Sequence, residues 1–217
     1  MNLAYRLSRL PFRWGLPHLV GSLRIEGLEN LPKEGPFLLL PNHQSALDAP
    51  LLQSFCPREM HTMTKSTQFI HPFYRWILPR IGAFPVRRYR VDALAVRQAL
   101  RILREGRPVC IYPEGERTWD GRLQPLRRGA LRLMLAVDVP VIPCGLEGLF
   151  DLWPRWSRWP HRGVHVTVRF GRPLPLGPFP DRASREAFLP EAERLLREAL
   201  LELSGEQLPN AHPRTPS

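Results

Sequence analysis

The chain has 217 residues, 43% of them hydrophobic, which suffices for one globular domain with a sizeable core and is short for two. Lysine and arginine total 31 against 20 aspartates and glutamates, a formal charge of +11, and only Lys33 and Lys65 are lysines. An arginine-dominated surface of this kind favours anionic partners: nucleic acid, phosphorylated small molecules or an acidic membrane face. No apolar run approaches the ~20 residues of a membrane span, and Arg6, Arg9 and Arg13 interrupt the N-terminal leucines too often for a signal peptide. Cys56, Cys110 and Cys144 are widely spaced and odd in number, which fits neither a disulfide framework nor a zinc-ligand spacing. These exclusions point to the cytoplasm, or to the cytoplasmic face of its membrane, with the cysteines reduced in the core.

In chain order, residues 2–14 place Leu3, Leu7, Leu10 and Trp14 at helical spacing, with Arg6, Arg9 and Arg13 on a neighbouring face. Pro11 is expected to bend or end that helix. The segment serves either as a helix packed on the body or as a basic amphipathic anchor in the membrane interface. Strands are expected at 23–26, 36–40, 60–64, 109–112 and 139–143, and at 164–170, where Val164, Val166, Val168 and Phe170 alternate with polar residues. Residues 91–104, 129–137 and 184–203 read as helices. The alternation predicts an α/β fold, with a largely parallel or mixed central sheet flanked by helices and no transmembrane span. Residues 1–20 form the N-terminal segment, 21–204 the domain, and 205–217, with three prolines and no apolar period, a disordered tail.

Four stretches carry chemistry-bearing residues. Asn42-His43-Gln44-Ser45-Ala46-Leu47-Asp48 leaves the apolar strand at 36–40. Side chains five apart diverge by about 140° on one helix, so His43 and Asp48 meet only if His43 lies in the loop and Asp48 in the first helical turn. Asp48 would then hold one imidazole nitrogen and free the other as a general base. The alternative makes Asp48 a helix cap and His43 an ordinary loop histidine. Tyr112-Pro113-Glu114-Gly115-Glu116-Arg117 follows another apolar strand and reads as a phosphate-gripping loop or a solvated turn. Gly82 to Arg88 is an apolar turn that delivers paired arginines, and Val141-Ile142-Pro143 is an apolar, proline-containing segment.

In this order and spacing the four stretches resemble the 1-acylglycerol-3-phosphate acyltransferase family of the glycerolipid acyltransferase superfamily, through NHxxxxD, GxxxxxR, (F/Y)PEGxR and the proline segment. The resemblance covers residues 23–170. It implies transfer of a fatty acyl group from acyl-CoA or acyl carrier protein to the sn-2 hydroxyl of a lysophospholipid, with no metal or cofactor. His43 would be the base, Asp48 its orienting partner, and Ser45 would not act as nucleophile. Arg88 and Arg117 would bind the acceptor phosphate, with Glu114 and Gly115 shaping the acceptor pocket. Arg87, Lys65, Arg127 and Arg128 are further phosphate candidates. Glu116 stands where the family commonly has a small hydroxyl residue, adding negative charge near the acceptor.

Without a span, such an enzyme meets its lipid from the surface. Residues 149–160 interleave Trp153, Trp156 and Trp159 with arginines, a membrane-contact composition. Residues 68–81 offer a second apolar surface or an acyl-chain lining. The alternatives are an acyltransferase for another lyso-lipid, or a basic nucleic-acid-binding protein, although no helix-turn-helix, zinc-finger or RNP-type pattern occurs.

Overall fold

The computed structural model describes residues 3–88 and 92–206. Seven strands form one sheet: β1 (Ser22–Glu26), β2 (Leu38–Pro41), β3 (His61–Lys65), β4 (Ala83–Val86), β5 (Val109–Cys110), β6 (Val141–Glu147) and β7 (His165–Phe170). Their order is β1-β7-β6-β2-β5-β3-β4, and every pairing is parallel except β6 with β7. The expected α/β fold with a largely parallel central sheet is therefore present. The helices are α1 (Leu3–Leu19), α2 (Asp48–Phe55), α3 (Pro72–Arg80), α4 (Ala93–Arg104), α5 (Arg128–Ala136), α6 (Leu149–Leu152), α7 (Arg182–Ala187) and α8 (Leu189–Ser204). None of them is long and apolar enough to cross a membrane among the described residues.

The central strands are apolar on both faces because each face is covered. Leu38, Leu40, Val109 and Ile111 point into the core formed with α4, α5 and α8. Phe37, Leu39, Cys110, Tyr112, Ile142 and Cys144 point into the opposite core, shared with α2 and the last turns of α1. This two-residue alternation decides the site, because it turns Tyr112 toward the same face as α2.

Three local expectations are corrected. The Gly82 to Arg88 stretch contains an edge strand, β4, which tolerates Pro85 because an edge leaves one row of amides unpaired. Gly82 lies at φ 81°, and a Cβ there would meet the Met60 carbonyl oxygen at 2.5 Å, so only glycine fits. Helix α1 continues through Pro11 and Pro17, with the Pro11 side open to solvent. The helix expected at 184–203 is two helices broken at Phe188, because Pro190 can occupy only the first turn of α8. The tail beyond residue 206 lies outside the described residues.

Helix α1 is seated by polar bonds. The Tyr5 hydroxyl accepts from the Met60 amide at 3.0 Å. The buried Arg9 guanidinium donates to the Ser54 carbonyl at 2.8 and 3.1 Å and to the Cys56 carbonyl at 2.8 Å. These are carbonyls at the C-terminus of α2, where a cation is favoured by the helix dipole.

Candidate active site

Both chemistry-bearing loops leave the carboxyl ends of neighbouring central strands, where open α/β sheets bind ligands. Strand β2 delivers residues 42–47 and β5 delivers residues 111–118. His43 lies in the loop and Asp48 in the first turn of α2, an offset that brings His43 Nδ1 to 2.7 Å from Asp48 Oδ2. Asp48 is fully buried and also accepts the amides of Gln44 at 2.6 Å and Ser45 at 2.9 Å. A carboxylate accepts from all three donors, so the hydrogen of the pair is assigned to His43 Nδ1, and Nε2 keeps its lone pair.

His43 stacks on Tyr112, with ring centroids 3.9 Å apart and planes inclined by 22°. Burial lowers the His43 pKa below the usual 6.5. The charges of Arg88 and Arg117 push the same way, against the pull of Asp48. The imidazole is therefore neutral near pH 7, the form that can take up a proton.

The rest of the first loop is pinned to β6 and α6. Asn42 Nδ2 donates to the Leu146 carbonyl at 2.9 Å, and Asn42 Oδ1 accepts the Leu146 amide at 2.7 Å. Gln44 Oε1 accepts the amides of Leu149 and Phe150 at 3.0 and 3.3 Å, satisfying the open start of α6. Ser45 Oγ donates to the Trp153 carbonyl at 2.9 Å. The sequence sets these residues in one stretch without showing their partners, because each partner lies more than 100 positions away.

The arginines separate. Arg88 and Arg117 are near enough to His43 to depress its pKa. The Arg117 guanidinium makes no hydrogen bond or ion pair among the described residues, and burial followed by the charge of Arg155 lowers its own pKa. Arg87 turns instead to Asp92, whose Oδ2 accepts its amide at 2.8 Å and lies 3.4 Å from its Nε. Arg128 pairs with Glu186 on α7 at 3.2 Å, which engages it in a surface ion pair. Lys65 ends β3 on the exposed surface.

Arg127 Nε donates to the Glu114 carbonyl at 3.1 Å, and its guanidinium pairs with Glu116 at 3.1 Å. Gly115, at φ 77°, makes a turn a side chain would strain, and what lies 3.2 Å from its would-be Cβ is the Arg127 side chain. Glu116 also faces Arg155 at 3.8 Å, so two arginines meet its charge. Glu114, expected in the acceptor pocket, is 2% exposed: its carboxylate turns inward and is spent on backbone amides. Among the described residues no three His, Cys, Asp or Glu side chains gather as metal ligands.

Of the three tryptophans expected at a membrane, Trp153 packs against the core and its indole donates to the Ser157 carbonyl at 2.9 Å. Trp156 and Trp159 are exposed. Two further stretches read from the sequence as apolar surfaces, residues 2–14 and 68–81, carry exposed side chains. On α1 the stripe Leu3, Leu7, Leu10 and Trp14 faces outward, and on α3 Phe73, Tyr74 and Trp76 do the same. Trp119 is also exposed, beneath the Arg155 guanidinium at 3.3 Å, while Arg155 Nη1 donates to the Arg117 carbonyl at 3.1 Å.

Comparison with known proteins places this geometry. The family model Acyltransferase matches residues 22–147. The chain is 34% identical over 155 residues to the chloroplastic 1-acyl-sn-glycerol-3-phosphate acyltransferase BAT2 of Brassica napus, which covers 69% of this chain and 44% of that protein. It is 29% identical over 178 residues to the 1-acyl-sn-glycerol-3-phosphate acyltransferase of Bacillus subtilis, covering 82% of each. The chain thus spans less than half of the plant relative and most of the bacterial one. In fold it is similar to the crystal structure of the 1-acyl-sn-glycerophosphate acyltransferase PlsC of Thermotoga maritima, with a TM-score of 0.70 and 24% identity over 94% of this chain and 80% of that one. Because the family model spans more than half of the sequence and takes in both strand exits that build the site, the chain belongs to the Acyltransferase family.

Proposed function

We propose that this chain transfers a fatty acyl group from a thioester to the sn-2 hydroxyl of 1-acylglycerol-3-phosphate, giving phosphatidic acid. The observation that carries the reading is His43 held by buried Asp48, with Nε2 available and two arginines close by. In this scheme Nε2 takes the proton of the acceptor hydroxyl as its oxygen attacks the thioester carbonyl. Asp48 stabilises the imidazolium that forms, as it accepts the Nδ1 hydrogen. The tetrahedral intermediate collapses with loss of the thiolate, which receives the proton from Nε2. Arg117 and Arg88 hold the acceptor phosphate by charge-assisted hydrogen bonds. The donor is acyl-CoA or acyl carrier protein, and the chemistry requires no metal because the thioester is already activated.

The lipid is met at the cytoplasmic membrane surface. Five of the six tryptophans are exposed, Trp14, Trp76, Trp119, Trp156 and Trp159, on a chain of charge +11. Tryptophan favours the interface, and each arginine near an anionic bilayer contributes about 1 kcal/mol.

The test compares the wild type with His43→Ala, using acyl-CoA and lysophosphatidate in mixed micelles and following thiol release and phosphatidate. Product from the wild type alone, with both proteins folded, is the expected result; equal rates would remove His43 from the mechanism. If both are silent with acyl-CoA, acyl carrier protein donors and other lyso-lipids test the remaining acceptors. Salt-sensitive binding to DNA with none to anionic vesicles would favour a nucleic-acid partner instead.

A further inference from the structure

The buried carboxylate of Glu114 sits where the loop after β5 meets the loop after β2. Oε1 accepts the amide of His43 at 2.6 Å, and Oε2 accepts the amide of Gln124 at 2.7 Å. The same segment holds His43 twice more, since the Thr118 amide donates to the His43 carbonyl at 2.8 Å and Tyr112 stacks on its ring. From the other side Arg127 fixes the Glu114 backbone, donating from its amide to the Pro113 carbonyl at 2.8 Å and from Nε to the Glu114 carbonyl at 3.1 Å.

We propose that Glu114 is a positioning residue for His43: its carboxylate fixes the backbone that carries the imidazole, rather than forming a wall of the acceptor pocket. Three observations carry this. The side chain is 2% exposed, so solvent and ligand scarcely reach it. Both oxygens are occupied by amides of this chain. The same loop also holds His43 at two further points, through the Thr118 amide and the Tyr112 ring. The residue type follows as well. Only a carboxylate accepts on both arms, whereas a glutamine would present an NH2 group to one of the two amide donors.

Burial is the largest influence on the Glu114 carboxyl and pushes its pKa up to about 8, with Asp48 and Glu206 adding to it and the two amides pulling it down. The two amide donors favour the ionised form, in which both oxygens accept, so the hold on the His43 backbone is strongest at and above that pH.

The proposal rests on His43 acting as the base, and its test carries a readout that does not depend on turnover. Glu114→Gln keeps the size and removes one acceptor; Glu114→Asp keeps the charge and shortens the reach, and serves if the first variant does not fold. With the fold verified by circular dichroism, kcat is expected to fall on the order of 10²-fold, the cost of a small misplacement of a reacting group. KM for lysophosphatidate should stay within about twofold, because no contact to the acceptor is lost. In parallel, the His43 ring resonance is titrated by NMR without substrate. Its midpoint, below 6.5 in the wild type, is expected to rise toward the ordinary value as the loosened loop admits water. A raised KM with kcat intact would return Glu114 to the acceptor pocket, and unchanged kinetics with an unchanged His43 titration would end the proposal. If the wild type itself proves inactive, the catalytic reading fails while the titration still decides whether Glu114 positions His43.

Discussion

Two regions of this molecule treat their side chains in opposite ways. At the ends of β2 and β5, polar residues are buried and paired: Asp48 with three donors, Asn42 with both backbone groups of Leu146, Glu114 with two amides. On α1 and α3, large apolar residues are left in solvent, and α3 buries none of its residues. Helix α1 even reverses the usual arrangement, sinking Arg9 into the protein and turning Leu3, Leu7, Leu10 and Trp14 outward. Burial of a polar group is tolerated only with its partners in place. The first region therefore fixes geometry, whereas the second leaves an apolar surface exposed, on which the proposed membrane contact rests.

The contrast is broken most severely from within the pinned region. Asp48→Asn should lower kcat on the order of 10³-fold, since the amide neither fixes the tautomer nor stabilises the imidazolium. Single-turnover measurements on the folded variant check this, and a loss below tenfold would make Asp48 merely structural. Arg117→Ala is expected to raise KM for lysophosphatidate about 10- to 100-fold, the worth of a lost charge-assisted phosphate contact. An unchanged KM would send the phosphate elsewhere.

The exposed region should answer differently. The pair Phe73→Ala and Trp76→Ala should weaken binding to anionic vesicles about tenfold, from the loss of apolar area that enters the interface. Turnover of a short-chain acceptor below its micelle concentration should not change; a loss there would place α3 in the chemistry rather than at the surface. Between the regions lies Arg9, whose replacement by alanine strips the last carbonyls of α2 and should cost about 2 kcal/mol by urea unfolding. An unaltered midpoint would mean that α1 is held by its apolar contacts alone.

The smallest effect is a pH dependence. The Glu114 carboxyl binds its proton more tightly folded than unfolded, so its contribution to stability is greatest below the ordinary 4.5 and declines as pH rises toward about 8. Glu114→Gln should therefore flatten the fall in urea stability between pH 5 and pH 8. The neighbouring charges of Asp48, Glu206 and Arg127 remain in both proteins, which isolates the difference.

Much of this architecture is legible in the residues because burial leaves a pattern. Doubly covered strands read as continuous apolar runs at β2 and β6, β7 alternates, and α4 carries its apolar positions at helical spacing. Strand β4 escaped notice because Pro85 argues against a strand unless the edge position is known. The continuation of α1 past Pro11 was hidden for a similar reason, since a proline whose missing bond faces water is cheaper than one in a packed helix. At the site, the pairing of His43 with Asp48 follows from an explicit geometric condition that the loop-to-helix offset satisfies. What composition could not disclose was direction. Arg87 and Arg88 are neighbours in sequence, yet one turns to Asp92 and the other acts on His43. Glu114 and Trp153, expected at the acceptor pocket and at a membrane, turn inward, because Glu114 finds amides and Trp153 a carbonyl acceptor there.

The long reach of the bonds at β2 has a kinetic consequence. His43 is held by Glu114 across 71 positions, and Asn42 by Leu146 across 104. Contacts of such sequence separation form late, after the loops between them have lost their freedom. The imidazole thus acquires its final setting only once β5 and β6 have docked beside β2. During refolding, recovery of activity should lag behind recovery of helical signal, and the delay would time the docking of the central strands.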